Sequence, residues 1–136
     1  GRHSVDILIN NAGVGLYGDF RGQPLDALTR MQTLNVVALT TLTRLVLPGL
    51  VARGRGRILN VASIVGYQPG GPGMAVYYAT KAYVLSFTKG LAMELAGSGV
   101  SVTALCPGVT VLLSRKGRER AKPFSIDGCR NRSPTR

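Results

Sequence analysis

The chain has 136 residues, 45% hydrophobic and 17% charged, which excludes a protein that is disordered throughout and favours a single globular domain. Its longest apolar runs are broken by Asn, Thr or Arg before they reach the ~20 residues that a membrane span needs. Two cysteines, Cys106 and Cys129, are too few for a disulfide scaffold or a zinc site, so we expect no metal site and a cytoplasmic location.

The net charge of +11 is unevenly distributed along the chain. Residues 1–114 carry nine Lys or Arg against four Asp or Glu, whereas residues 115–136 carry eight against two. More than half of the excess positive charge therefore belongs to a short tail.

The first half of the chain predicts a strand, a loop and a long helix. The apolar run Val5–Ile9 is typical of a strand, and the Gly-rich stretch up to Gly22 is typical of a loop. Pro24 suits the first turn of a helix, and Pro48-Gly49 is expected to kink that helix or begin to close it. Residues at spacings of three or four form the amphipathic stripe of this helix, namely Leu28, Met31, Asn35, Leu39, Leu42 and Val46.

The second half predicts a strand, a helix and another strand. Residues 57–63 are typical of a strand, and a loop rich in Gly and Pro follows at residues 67–73. A helical pattern from about Ala75 to Ala96 has apolar residues on two sides, so we expect it to be covered on both. Residues 100–105 predict a third strand. This β-α-β-α-β order predicts a parallel sheet with right-handed crossovers, covered on both faces.

Distinctive residues follow all three predicted strands. They are Asn10 to Gly13 after the first strand, Ser63 at the end of the second, and Pro107-Gly108 after the third. Ligands of open parallel sheets bind at the carboxyl ends of the strands. We therefore expect these residues to meet at one edge of the sheet.

Tyr77 and Lys81 are four residues apart at the start of the second helix, so they lie on one face. An ammonium near a phenol stabilises the phenolate and lowers the pKa of the tyrosine. Bringing that pKa from about 10 toward 7 takes roughly 4 kcal/mol, of which one lysine supplies part and a cationic cofactor ring could supply more. An isolated YxxxK is more often a surface pair of a helix, so the pair gains meaning only from its context.

That context is a set of five features in a fixed order. They are Asn10-Asn11-Ala12-Gly13 after a strand, Asn35 in a helix, Ser63 at the next strand end, Tyr77 with Lys81 in the following helix, and Pro107-Gly108 after the last strand. In order and spacing these features resemble the short-chain dehydrogenase/reductase family over about residues 4–110. The stretches 76–87 and 104–108 are similar to the bacterial, NADP-preferring branch whose substrates are unassigned. The resemblance implies the second half of a Rossmann-like, doubly wound α/β domain.

The resemblance also implies a reaction, a hydride transfer between NADP or NAD, with NADP slightly preferred, and a carbonyl/alcohol pair. Tyr77 is then the general acid in reduction and the base in oxidation, and Lys81 lowers its pKa and holds the nicotinamide ribose. Ser63 orients the substrate oxygen, and Asn35 holds a water that links Lys81 to solvent. The residues alone leave a structural alternative for two of these side chains: Asn35 as a bracing amide and Ser63 as the cap of a turn.

The cofactor and substrate contacts implied by the resemblance lie in the loops. The cofactor set is Asn11, Ala12 and Gly13 on the adenosine side, Pro107 and Gly108 on the nicotinamide side, and Tyr77 with Lys81. Residues 67–74 line the substrate entrance. The family also implies a homo-oligomer, formed through the helices that carry Asn35 and Tyr77.

Gly13 to Gly18 matches the dinucleotide pattern GxGxxG, but its context argues against that function. Such a fingerprint opens a helix directly and is followed about 20 residues later by an acidic side chain. Here residues 19–23 continue the loop, and residues 32–35 contain no carboxylate. We therefore interpret the match as an ordinary loop.

Two departures from the family pattern shape the expected domain boundaries. The family's T-G-x-x-x-G-x-G turn is expected upstream of Gly1, which leaves the first strand as an open edge. After Thr110 the family pattern stops, so we expect a partial domain at residues 1–113 and a basic tail at residues 114–136. We expect this tail to be disordered, or to be foreign to the family because of a frameshift, a gene truncation or a misjoined reading frame.

Two alternatives to an active oxidoreductase remain open from the sequence. The first is a catalytically inactive truncated fragment that pairs with another chain through the open sheet edge. The second is a basic nucleic-acid-binding protein that uses residues 53–57 and the tail. Only Phe124 in the tail offers a ring for base stacking, so neither a specific nucleic-acid partner nor a membrane is expected.

Overall fold

The computed structural model describes residues 4–108, and this range contains the expected alternation of strands and helices. The strands are β1 (Ile7–Asn10), β2 (Gly56–Val61) and β3 (Val100–Leu105). The helices are α1 (Leu25–Gln32), α2 (Leu39–Ala52) and α3 (Ala75–Glu94). Single 3-10 turns occur at Phe20–Gly22 and Ile64–Tyr67. The predicted boundary at residue 113, the basic tail, His3 and Cys129 lie outside the described residues.

The three strands form a parallel sheet in the order β1-β2-β3. Leu8 on β1 pairs with Ile58 on β2, which pairs with Val102 on β3. Two consecutive crossovers in the same direction place their helices on the same side of the sheet. The predicted α/β class with a parallel sheet is confirmed.

A single continuous helix runs from Leu25 to Ala52, and its middle turn at Thr33–Ala38 is π-helical. Pro48 was expected to kink or begin to close this helix, but the helix continues to Ala52. Proline removes its own N–H from the helix and its ring crowds the carbonyl of the preceding turn, but both effects are tolerated where packing holds the turn. The packing here includes Leu50, which is fully buried two residues later.

The π-helical turn changes which residues of this helix face the sheet. Leu28, Met31, Asn35 and Leu39 are buried as predicted, but Leu42 is 48% exposed and Thr43 is buried in its place. A π turn contains one more residue than a regular turn, so every later position is rotated around the helix. The predicted stripe is therefore wrong at Leu42, whereas Val46 packs against the core as predicted.

Both long helices cover the same face of the sheet. Leu50 on α2 packs with Ile58 and Val100, and Val84 and Leu85 on α3 pack with Ala62 in a second cluster. Side chains on the other face are open, with Ile7 and Ile9 each 59% exposed and Leu105 50% exposed. The prediction that the sheet is covered on both faces is wrong for residues 4–108, because successive strands here add in one direction and carry their helices to one side.

Helix α3 is buried mainly on one side. Val84, Leu85 and Leu91 are buried, whereas Met93 is 78% exposed. The expected cover on the second side is thus not present within the described range.

The helix Leu25–Ala52 is long and apolar enough to pass a length-and-hydropathy test for a membrane span. That test is weak for a single helix, because the core helix of a globular domain passes it as well. This helix carries Arg30 and Arg44 and packs onto the sheet through Leu39 and Leu50, so we assign it to the fold.

Candidate active site

The carboxyl ends of the strands meet as expected, and backbone hydrogen bonds join the segments that follow them. The Ala62 N–H donates to the Leu105 carbonyl at 2.8 Å, and the Ile64 N–H donates to the Pro107 carbonyl at 3.1 Å. After β1 the chain continues as the loop 11–19, which approaches α3. One edge of the sheet therefore carries all three sets of distinctive residues.

Lys81 is almost completely buried at this edge. Its side chain comes from the second turn of α3, is 6% exposed, and donates from Nζ to the Val61 carbonyl at 3.0 Å. Nζ lies 5.8 Å from the centre of the Tyr77 ring. Burial lowers the pKa of Lys81 because it disfavours the charged ammonium, and Cys106 acts in the opposite direction.

Tyr77 is half-buried beside Lys81, and its titration differs from the sequence-based expectation. Burial raises the pKa of the phenol above its ordinary value, since the phenolate is the form that burial disfavours. The Ser63 hydroxyl hydrogen-bonds to the phenol and acts the other way. The Lys81 ammonium, which was expected to lower this pKa, donates to the Val61 carbonyl.

Ser63 performs a structural task and also reaches the candidate site. It follows β2 as the N-cap of the 3-10 turn Ile64–Tyr67, and its Oγ accepts from the Val65 N–H at 3.4 Å. The same hydroxyl interacts with the phenol of Tyr77. Both of the functions considered for this residue are therefore compatible with its position.

Asn35 braces two elements of the site. Its Nδ2 donates to the Val14 carbonyl at 2.8 Å and to Thr80 Oγ1 at 3.1 Å, while its Oδ1 accepts from the Val14 N–H at 2.9 Å. Thr80 Oγ1 donates in turn to the Tyr77 carbonyl at 2.8 Å. The bracing function of Asn35 is directly visible, and Thr80 is a partner that the sequence did not single out.

Glycines let the loop after β1 approach these side chains closely. A Cβ added at Gly13 would lie 3.4 Å from Lys81 Nζ and 3.4 Å from Asn35 Oδ1. A Cβ at Gly15 would lie 3.4 Å from the Tyr77 ring. This loop is irregular, and α1 begins only at Leu25, so the GxGxxG match is an ordinary loop as expected.

The donor set fits the sugar hydroxyls of a dinucleotide. An ammonium has three N–H donors, of which Lys81 gives one to the Val61 carbonyl within the described range. Asn11, Ala12 and Gly13 beside it are exposed, as is Gly108 across the edge, while Pro107 is half-buried. Within residues 4–108 no group of His, Cys, Asp or Glu side chains could hold a metal ion.

A buried polar network below the site was missed by the sequence analysis. Asn10 Nδ2 donates to Thr43 Oγ1 at 3.0 Å and to Asn60 Oδ1 at 2.8 Å, and Asn60 Nδ2 donates to Thr88 Oγ1 at 2.9 Å. The network ties the ends of β1 and β2 to α2 and α3. Its signal in the sequence is Asn60, a polar residue inside the apolar run of β2 that must find a buried partner.

Comparison with known proteins identifies the fold family. The family model described as short chain dehydrogenase matches residues 2–121. Ketoacyl reductase HetN of Nostoc sp. and oxidoreductase UcpA of Escherichia coli are each 40% identical to the chain over 104 residues. The match covers 76% of this chain but only 36% of HetN and 40% of UcpA, so the chain spans about two fifths of these relatives.

Solved structures give the same result. A short-chain dehydrogenase from Sphingobium yanoikuyae in complex with NADPH is 46% identical, with a TM-score of 0.73, over 77% of this chain and 41% of its own. A bulky-bulky ketone specific alcohol dehydrogenase from Comamonas testosteroni is 42% identical, with a TM-score of 0.72, over 76% and 41%. Both support a Rossmann-like domain represented in part.

The family match also extends further along the chain than the sequence motifs indicated. It ends at residue 121, whereas the motif resemblance was placed over about residues 4–110. Since the match covers most of the 136 residues, the chain belongs to the short-chain dehydrogenase family.

Proposed function

We propose that this chain carries the substrate and nicotinamide half of an oxidoreductase that transfers a hydride between NAD(P)(H) and a carbonyl/alcohol pair. The observation that carries the proposal is the assembly of Ser63, Tyr77, Lys81 and Asn35 at the carboxyl edge of a parallel sheet. These residues come from a strand end and two helices, and the fold brings them to one place.

Tyr77 is the group that exchanges a proton with the substrate oxygen. The reduced nicotinamide supplies the hydride when it is bound. In reduction the carbonyl oxygen gains the proton of the Tyr77 hydroxyl, and in oxidation the phenolate removes the proton of the alcohol. Burial raises the pKa of the phenol and so favours its protonated form, which suits the general acid of a reductase.

Lys81 supplies the positive charge that stabilises the phenolate after the proton has left. Its buried ammonium lies within one helical turn of Tyr77, and charge interactions are strong where water is excluded. Turning Nζ from the Val61 carbonyl toward the ribose hydroxyls and the phenol would give the lowered pKa that catalysis in the oxidative direction requires.

Ser63 and Asn35 complete the proposed machinery. The Ser63 hydroxyl, next to the phenol, orients the substrate oxygen and donates to it as charge develops. Both N–H groups of Asn35 are used by Val14 and Thr80, so a relay water is held by the second lone pair of its Oδ1. Bracing and proton relay are thus compatible in one side chain.

The cofactor and the substrate are proposed to bind at the same edge of the sheet. Asn11, Ala12 and Gly13 are proposed to contact the adenosine side, and Pro107 and Gly108 the nicotinamide. Similar structures were solved with NADPH, with NADP and with NADH, which supports either cofactor and gives NADP a slight preference. Relatives named as ketoacyl and acetoacetyl-CoA reductases, and a ketone-specific alcohol dehydrogenase, favour a ketone as substrate.

The oligomeric state and the cellular location of the protein are also proposals. The apolar outer surface of α2, with Leu45 71% exposed, is consistent with a homo-oligomer. A cytoplasmic location remains a prediction, consistent with the free thiol of Cys106.

A second candidate, a non-catalytic fragment, is favoured by the open face of the sheet. Ile7, Ile9 and Leu105 are exposed there, and another chain could cover them. The nucleic-acid alternative has less support, because Arg53 already donates to the Val5 carbonyl and lies 3.7 Å from Asp6.

The proposed reaction is tested by following NADPH oxidation with a panel of ketones. Tyr77→Phe removes the proton donor, and we expect the rate to fall about 10²- to 10⁴-fold while NADPH binding persists. Tyr83→Phe is the matched control on the same helix, since its hydroxyl bonds to Thr40 outside the site. A wild-type chain that oxidises NADPH with none of the ketones, or a Tyr77→Phe variant as fast as wild type, would refute the reaction.

A further inference from the structure

Two loops flank the Tyr77 ring and come from distant parts of the chain. The first is the loop 11–19 after β1, whose Gly15 lies against the ring. The second is the segment 68–74 before α3, which ends at Met74, the N-cap of the helix that carries Tyr77. A Cβ on Gly15 would lie 3.5 Å from the Met74 methyl carbon, so the two loops meet beside the phenol.

Gln23 joins these two loops with its side chain. Its Nε2 donates to the Gly18 carbonyl at 2.7 Å and to the Gly73 carbonyl at 3.3 Å. The Gly18 N–H donates directly to the Gly73 carbonyl at 2.9 Å. A primary amide has two N–H donors, so one side chain satisfies a carbonyl from each loop across fifty residues of sequence.

The segment 68–74 is also constrained by the backbone conformation of Gly73 and by its contact with Tyr17. Gly73 has φ +75°, which favours glycine, and Tyr17 lies over it so closely that a Cβ would be 3.0 Å from the ring. A concavity of about 490 Å³ results, lined by Tyr17, Gly18, Asp19, Phe20, Pro72 and Gly73. Its walls come from both loops, so its shape depends on the bonds that join them.

The side chain of Gln23 is not needed to close the 3-10 turn that precedes it. Its backbone N–H already closes the 3-10 turn by donating to the Phe20 carbonyl, whatever the side chain is. The amide group is therefore available for the link between loops. A substitution that spares the backbone isolates that link.

We propose that Gln23 is a positioning residue that fixes the two loops around Tyr77 and so sets the orientation and solvent access of the phenol. This inference rests on the proposed function of Tyr77. When the amide is lost, the backbone bond between Gly18 and Gly73 lacks the support of the side chain, so the loop 11–19 separates from residues 68–74 more often, water reaches the ring, and the burial of the phenol falls. The concavity beside Tyr17 widens at the same time.

The test uses the full 136-residue chain and two readouts that need no turnover. Gln23→Met keeps the length without the amide, and Gln23→Glu places a carboxylate against the two carbonyl oxygens. Gln32→Met, at an exposed position on α1, is the control. Amide hydrogen exchange at Gly18 reports the link, and the ¹³C resonance of the Tyr77 phenol carbon, assigned with Tyr77→Phe, reports its titration.

We expect both Gln23 variants to exchange the Gly18 amide at least about tenfold faster, and Gln23→Met, which adds no charge, to titrate Tyr77 at least about half a pH unit lower, with Gln32→Met like wild type. Unchanged Tyr77 titration, with or without faster exchange, overturns the proposal. A Gln23 variant that unfolds by far-ultraviolet circular dichroism also overturns it, because the residue then supports the fold as a whole. A wild-type chain without ketone reduction refutes the proposed function and leaves these readouts interpretable.

Discussion

Lys81 holds a positive charge at 6% exposure, and this gives the stability of the chain a defined pH dependence. Its pKa is lowered by burial, so the unfolded chain binds the proton more tightly than the folded chain. The free energy of unfolding therefore rises as pH increases through the folded pKa toward the ordinary value of 10.5. At pH values below the folded pKa the ammonium is charged in both states, and folding bears the full cost of its burial.

Replacing Lys81 by Met, which has a similar length, removes that cost. We expect Lys81→Met to melt at a higher temperature than wild type at pH 7, by a few degrees, and the difference to narrow toward pH 10. Lys89→Met, at an exposed position on the same helix, should melt like wild type at both pH values. Thermal unfolding by circular dichroism measures this, and a Lys81→Met variant less stable than wild type at pH 7 would contradict the assigned burial cost.

Thr80 carries a second prediction, because its hydroxyl links Asn35 to the backbone of Tyr77. Thr80→Val keeps the shape but leaves a buried N–H of Asn35 without its acceptor, which costs about 1–3 kcal/mol. Thr80→Ser retains the hydroxyl and should lose less than about 1 kcal/mol. Urea unfolding distinguishes the two, and equal losses for Val and Ser would show that the hydroxyl bond contributes nothing.

The sequence indicates which residues form the candidate site, but the environment of those residues could not be predicted from it. Tyr77, Lys81, Ser63 and Asn35 are recognisable from their spacing, since the fold places strand ends together. The partners of Asn35 and the raised pKa of Tyr77 depend on rotamers and burial. Those are properties of the packed structure, and a spacing pattern does not contain them.

At the scale of helices and strands, too, one part of the structure could be predicted from the sequence and another could not. β3 was predicted at its observed bounds, because Gly97 and Gly99 mark the turn before it. The π-helical turn was missed, and with it the burial of Thr43 in place of Leu42. A helical pattern drawn with 3.6 residues per turn cannot account for a turn that contains one extra residue.

The turn between α3 and β3 offers a matched pair of glycines. Both Gly97 and Gly99 have positive φ, at +81° and +78°, so alanine is strained at either position by about 1–2 kcal/mol. A Cβ on Gly97 meets nothing within 4 Å, whereas a Cβ on Gly99 would lie 1.9 Å from the Gly54 carbonyl oxygen. We expect Gly99→Ala to cost about 1–3 kcal/mol more than Gly97→Ala in urea unfolding. Similar costs would mean that the two turns are not in contact.

At the scale of the whole molecule, the main consequence of the architecture is one face of the sheet that the elements within residues 4–108 leave uncovered. Ile7 and Ile9 are 59% exposed, and they lie on an edge strand whose outer side has no neighbour in the described sheet. Exposed apolar edges promote pairing between chains. The alternation of strands and helices could be predicted from the sequence. The side of the sheet on which the helices lie could not, because it depends on the direction in which successive strands join the sheet.

We therefore expect the 136-residue chain to self-associate as its concentration rises. Ile9→Lys places a charge on the edge strand and should shift the chain toward monomer, whereas Ala96→Lys, at an exposed position in the turn after α3, should change association less. Light scattering after size exclusion measures the mass. Identical masses for wild type and Ile9→Lys across concentration would show that this face takes no part in association.

The central claim is that the edge formed by Tyr77, Lys81 and the loop after β1 binds the nicotinamide half of the cofactor. It is tested most directly by a fluorescence titration of the chain with NADPH at moderate salt. We predict saturable binding that Lys81→Met weakens at least about tenfold and Lys89→Met leaves unchanged. Absence of saturable binding, or equal binding by Lys81→Met and wild type, would contradict the claim.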